Sequence, residues 1–275
     1  MTSLACCSGT VAPEPSTPFA GHEETIASHA CYVSQPKNRA VPLSSVIIAS
    51  DIFGYKLINA RLIADKFAEA GYLAVILDLF KGSEPPANLM TSIETLTSQK
   101  ASFFSKMYAF GRILWYMPGF IWRNPFKKGV TILEEVIGEL KEKRRVGKVA
   151  VQGYCWGGTL SVYLAQKPNS VDAVCAAHPG SLTFPSDIEK IQKPIYFVLP
   201  SKDHSIKPPQ RKIIEDVLTK KDKTLEGGLL HQVEWFEGAE HGFAVRGNES
   251  DPVIAAMRQT AFNNAVSFFG DVFSY

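Results

Sequence analysis

Short apolar runs alternate along the chain with stretches whose apolar residues recur at helical spacing. Ser45–Ser50 (SVIIAS), Tyr72–Leu77 (YLAVIL), Lys148–Gln152 (KVAVQ), Ala173–Ala177, Ile195–Leu199 and Gln232–Phe236 read as strands. Leu57–Ala70, Val130–Lys141, Thr159–Gln166, Gln210–Leu218 and Val253–Phe269 read as helices, and Gly71 stands where the first of them should stop. Strands that are apolar throughout, rather than alternating, are buried on both faces. Their alternation with helices predicts an α/β fold, a mostly parallel doubly wound sheet with helices on both faces. No repeat and no second composition regime appears, so a single domain over residues 26–275 is expected. Residues 1–25, rich in Pro, Ser, Thr and Gly, read as an extended tail.

One segment fits this pattern poorly. Ala101–Trp122 (ASFFSKMYAFGRILWYMPGFIW) is dense in aromatic residues and lies within a lid-like insertion at about 91–128. Its longest uncharged run, Ile113–Trp122, is too short for the ~20 residues that cross a bilayer. No stable membrane insertion is therefore expected. The reading is a buried or lid-like helix over the carboxyl ends of the strands. A dimer contact and an interfacial membrane helix are the alternatives.

Composition narrows the class. With 45% hydrophobic residues the chain can bury a sizeable core, and a formal net charge of +2 gives no support for a nucleic-acid partner. Five cysteines (Cys6, Cys7, Cys31, Cys155, Cys175) form no CxxC pair and no even framework. They predict neither a disulfide scaffold nor a zinc site, and no metal or cofactor is expected. The N-terminus lacks the layout of a secretory signal, and the expected location is cytoplasmic.

The chemistry gathers around Gln152–Leu160, QGYCWGGTL. Gly153-x-Cys155-x-Gly157 follows a predicted strand and precedes a predicted helix, the context of a nucleophile elbow. The turn is sharp, so its flanking residues must be small. It is expected to expose Cys155 at a helix N-terminus, where unpaired amides favour a thiolate. Asp203 follows the Ile195–Leu199 strand and His241 follows the Gln232–Phe236 strand. Ligands in open α/β sheets collect at such strand ends, and the order nucleophile, acid, histidine is that of α/β-hydrolases.

GYCWGG at 153–158, DIFG at 51–54, Asp203 and HGF at 241–243 together resemble the dienelactone hydrolase (carboxymethylenebutenolidase) family, over about residues 28–270. AHPG at 177–180 and the tail with Cys6-Cys7 look most like its fungal branch. The resemblance implies an α/β-hydrolase fold and a hydrolase acting on a lactone or small carboxylic ester. Cys155 would attack the carbonyl, His241 would serve as base and then acid, and Asp203 would orient the imidazole. The N–H groups of Trp156 and Ile52 would hold the oxyanion. Asp51 stands where bacterial members carry a glutamate that gates the thiol. Those members bind a substrate carboxylate through an arginine four residues after the histidine. Here that position is Val245, and Arg246 follows.

Other roles stay open. Asp51 is read either as the thiol-gating acid or as a helix cap. His178, Phe243 and Arg246 are candidates to line the substrate pocket. Cys31 and Cys175, on strand patterns, read as inert, and His204 reads as a solvated loop residue. The expected partner is a small ester or lactone, with a homodimer possible. A non-hydrolytic isomerase, cyclase or lyase on the same site is the alternative, distinguished by whether solvent oxygen enters the product.

Overall fold

The computed structural model describes residues 11–12, 18–37, 43–97, 101–224, 230–248 and 250–274. Cys6 and Cys7, most of the expected tail and part of the insertion lie outside the described residues. Eight strands form one sheet: β1 (His22–Ile26), β2 (His29–Ser34), β3 (Leu43–Ala49), β4 (Leu73–Leu77), β5 (Val146–Tyr154), β6 (Ala173–Ala177), β7 (Ile195–Lys202) and β8 (His231–Glu240). The order is β1-β2-β4-β3-β5-β6-β7-β8. From β4 to β8 every pairing is parallel, while β2 runs antiparallel to β4 and β1 antiparallel to β2.

The helices are α1 (Ile58–Glu69), α2 (Leu89–Thr97), α3 (Phe103–Arg123), α4 (Phe126–Arg144), α5 (Trp156–Ala165), α6 (Ser186–Glu189), α7 (Pro208–Thr224), α8 (Phe243–Arg246) and α9 (Pro252–Ser274). α4, α5, α6 and α7 form one layer, and α1, α8 and α9 the other. Phe67 of α1 meets Phe262 and Phe269 of α9 there. The central strands β4 and β6 are buried at every residue, as their unbroken apolar runs require.

Two expectations are corrected. The chain is already paired at His22, inside the segment read as a tail. β1 and β2 join through Ala27 and Ser28, both at positive φ (49° and 65°), so the turn follows the twist of the hairpin. The aromatic segment does form a helix, α3, but not a buried one. Of its 21 residues, Ala109, Ile113 and Phe120 are buried, and the helix runs on through Pro118.

The sheet reverses its winding at β3, with β4 added on one side and β5 on the other. The loops leaving β3 and β5 therefore flank a crevice at the carboxyl edge, the usual ligand position of such a sheet. Asp51 and Cys155 lie in these loops.

Candidate active site

The turn between β5 and α5 is built by close approach. A Cβ on Gly157 would lie 2.0 Å from the Ala49 carbonyl oxygen. One on Gly153 would lie 2.2 Å from the Gly157 carbonyl oxygen. Cys155 itself takes φ 52°, ψ −108°, a strained conformation for a side-chain-bearing residue. The neighbourhood holds it there. Cys155 N–H donates to Ala177 O at 3.0 Å, Gly180 N–H donates to Cys155 O at 3.2 Å, and Gly157 N–H donates to Ser50 O at 3.2 Å.

The elbow does not expose the sulfur as expected. Cys155 is 2% exposed. His241 closes over it with a side-chain hydrogen bond to Cys155, and its Nδ1 lies 2.9 Å from Asp203 Oδ2. Asp203 Oδ1 accepts from Ser205 N–H at 2.7 Å. Burial works against a charged imidazole. Asp203 and the Cys155 sulfur outweigh that and push His241 up to about 10. Burial also raises Asp203, yet His241 and the hydrogen bonds hold its carboxyl below the ordinary carboxylate value. The three residues named from their order in the chain are thus brought together as one hydrogen-bonded series.

The N–H groups of Trp156, first residue of α5, and Ile52, in the β3 loop, have no acceptor among the described residues. Both residues are buried. The Trp156 ring is gripped by Phe80 (4.9 Å), Phe126 (5.4 Å, stacked) and Phe120 of α3 (6.5 Å). The inner side of the aromatic insertion therefore packs on the residue that follows the nucleophile.

Asp51 and Arg246 come together in a way the sequence did not announce. Arg246 Nε donates to Asp51 Oδ2 at 2.6 Å, and Phe53 N–H donates to Asp51 Oδ1 at 3.0 Å. Both carboxylate oxygens are engaged. The helix-cap reading fails, because α1 begins after Leu57 with no side-chain cap. Arg246 is fully buried, so it does not line an open pocket. His178 is also enclosed. Its ring centroid stands 4.9 Å from that of His241 and 6.2 Å from Phe243, and Phe243 packs on Phe236 at 5.0 Å. Neither nitrogen of His178 has a hydrogen-bond partner among the described residues. Burial, with the charges of His241 and Arg246, holds its ring well below the ordinary value and hence neutral.

His204, read as a solvated loop residue, is 17% exposed and stands against the site, Nδ1 3.7 Å from Asp203 Oδ1. Burial, then the charge of His241, pulls it down to about 4. Asp203, His204 and His241 offer ligand atoms within 4.8 Å of one another. Asp203 and His241 already satisfy each other there, so a cation would have to displace their hydrogen bond.

Cys31 and Cys175 lie fully buried on β2 and β6, and burial pushes the Cys31 thiol up to about 12. No helix among the described residues is long and apolar enough to cross a membrane.

Comparison with known proteins agrees with this architecture. A family model described as the dienelactone hydrolase family matches residues 29–273. Hydrolase tropI of Talaromyces stipitatus is 29% identical, over 87% of this chain and 85% of that protein. Hydrolase pyvD of Aspergillus violaceofuscus is 28% identical over 98% of both chains. Among solved structures, the dienelactone hydrolase of Anabaena variabilis superposes with a TM-score of 0.56 at 16% identity, over 89% of this chain and 96% of that one, which shows a common fold. With the sheet, the elbow and the match over nearly its whole length, this chain belongs to the dienelactone hydrolase family.

Proposed function

We propose that the protein hydrolyses an uncharged carboxylic ester or lactone through a Cys155–His241–Asp203 triad. The observation that carries this reading is the continuous hydrogen-bonded series from the elbow cysteine through His241 to Asp203. The raised value of His241 supports a resting thiolate–imidazolium pair.

In the acylation step the Cys155 thiolate attacks the carbonyl carbon. The oxygen gains the carbonyl electron pair and is received by the N–H groups of Trp156 and Ile52. The intermediate collapses, the C–O bond to the alcohol breaks, and the leaving alkoxide takes the proton from His241. In deacylation a water gives its proton to His241 and attacks the thioester. The C–S bond then breaks, the acid leaves, and the thiolate–imidazolium pair is restored. Asp203 keeps the imidazole oriented and its charge balanced throughout.

Burial of Arg246 against Asp51 leaves it poorly placed to receive a substrate carboxylate, which favours an uncharged acyl group. The names of both fungal relatives, each a hydrolase, favour water as the acyl acceptor. Turnover of activated esters and lactones in ¹⁸O-water tests the reading. One labelled oxygen in the acid product is expected, with activity lost in Cys155→Ala. Turnover without solvent oxygen would turn the assignment to an isomerase, cyclase or lyase.

A further inference from the structure

α3 turns an apolar surface outward. Phe104, Tyr108, Gly111, Trp115, Pro118 and Trp122 follow one another at alternating spacings of four and three, which places them on one face of a helix about 31 Å long. That face lies opposite the buried Ala109, Ile113 and Phe120. Trp115 is 82% and Trp122 83% exposed. Met107, Leu114 and Ile121 widen the stripe and are also exposed. Apolar surface of this extent marks an interaction site.

Charge says what covers it. Between Glu94 and Glu134 the sequence holds no acidic residue, while Lys106, Arg112, Arg123, Lys127 and Lys128 lie in or beside α3. Arg112 is engaged at the start of α2, donating to Asn88 Oδ1 just before the helix at 2.6 Å and to Ser92 Oγ within it at 3.0 Å. Arg123, Lys127 and Lys128 are exposed around the Trp122 end of the stripe. A second copy of the chain meeting this face would bring up the same cations, with no acidic residue from 95–133 of either copy to pair them. An anionic bilayer offers both an apolar layer and negative charge.

We propose that α3 is an interfacial anchor that lays its aromatic stripe into the headgroup region of an anionic membrane, without crossing it. Phe120, on the inner side of the same helix, packs against Trp156 beside Cys155. Docking would therefore seat the catalytic crevice next to the bilayer, which adds a lipophilic ester or lactone as substrate class; that extension rests on the hydrolase reading above.

The test is sedimentation of the full chain with vesicles of phosphatidylcholine alone and with about a third phosphatidylserine. Binding to the anionic vesicles is expected, weakened by salt and roughly tenfold lower on phosphatidylcholine alone. Phe104→Ser/Trp115→Ser/Trp122→Ser should lose about tenfold or more in partition with an unchanged melting temperature, and Lys127→Glu/Lys128→Glu should lose a comparable factor. Brominated lipid should quench Trp115 and Trp122 in the wild type, a readout independent of how the variants fold. No sedimentation and no quenching would overturn the proposal. So would a wild-type dimer, seen by light scattering, that the stripe variant converts to a monomer. Vesicle binding needs no turnover, so its failure leaves the hydrolase reading standing, and an inactive enzyme leaves the anchor standing.

Discussion

Arg246 and Asp51 form a buried ion pair that ties the loop after β3 to the turn after β8. Asp51 lies beside Ile52, and Arg246 ends the short helix that follows His241. The pair therefore links a candidate oxyanion donor to the candidate base across 195 residues of sequence. Removing one partner strands the other charge in the interior. Arg246→Met is expected to destabilise the fold by about 3–5 kcal/mol, read by chemical denaturation. The double variant Asp51→Asn/Arg246→Met should recover part of that loss. Asp51→Asn alone should lower turnover roughly ten- to a thousand-fold and also lower the melting temperature. Normal stability in Arg246→Met would show that the pair does not hold the two loops.

Thiol reactivity should separate the cysteines. Cys31 and Cys175 are buried with no exposure, and burial raises both thiols. Cys155 is nearly as enclosed but faces His241. Iodoacetamide should alkylate Cys155 in step with loss of activity and spare the other two, as peptide mapping would report. Full activity with Cys155 labelled would remove it from the mechanism.

The pH profile follows from His241. In the proposed mechanism the imidazolium protonates the leaving group, and its value stands at about 10 rather than the ordinary 6.5. Activity should persist through weakly alkaline pH, and the alkaline limb of kcat/KM should fall near about 10. The sign for stability is the same. A raised folded value stabilises fully below 6.5, and that contribution is lost as pH rises through about 10. Melting temperatures and rates measured across this range check both. An alkaline limb near 6.5 would mean that Asp203 and Cys155 do not hold the ring charged.

Specificity should follow the withdrawal of Arg246 from the open site. Across p-nitrophenyl esters, aryl and medium-chain acyl groups should exceed acetate in kcat/KM by roughly tenfold per well-buried pair of methylenes. Turnover of a carboxylated dienelactone should be poor. A flat ester series with efficient turnover of that lactone would contradict this.

Much of this was legible in the sequence because local rules governed it. The apolar runs placed β3 to β8 within a few residues, and a strand before and a helix after made the Gly-x-Cys-x-Gly turn legible as an elbow, although the enclosure of Cys155 was not. The β1–β2 hairpin was not legible. His22–Ile26 is mostly polar, and its turn uses Ala27 and Ser28 where glycine or asparagine is the usual signal. The Asp51–Arg246 pair has no spacing signature, since only the fold brings the residues together. α3 was legible as a helix, but whether it is buried or lid-like was not: helical periodicity gives the apolar face and not which side the rest of the molecule occupies.

The central claim is that Cys155 carries the acyl group. Rapid quenching of a p-nitrophenyl ester reaction, followed by peptide mass spectrometry, tests it most directly. The account predicts a thioester-linked acyl group on the peptide containing Cys155, released by hydroxylamine and absent in Cys155→Ala. An acyl adduct on another residue, or undiminished turnover by Cys155→Ala, would contradict it.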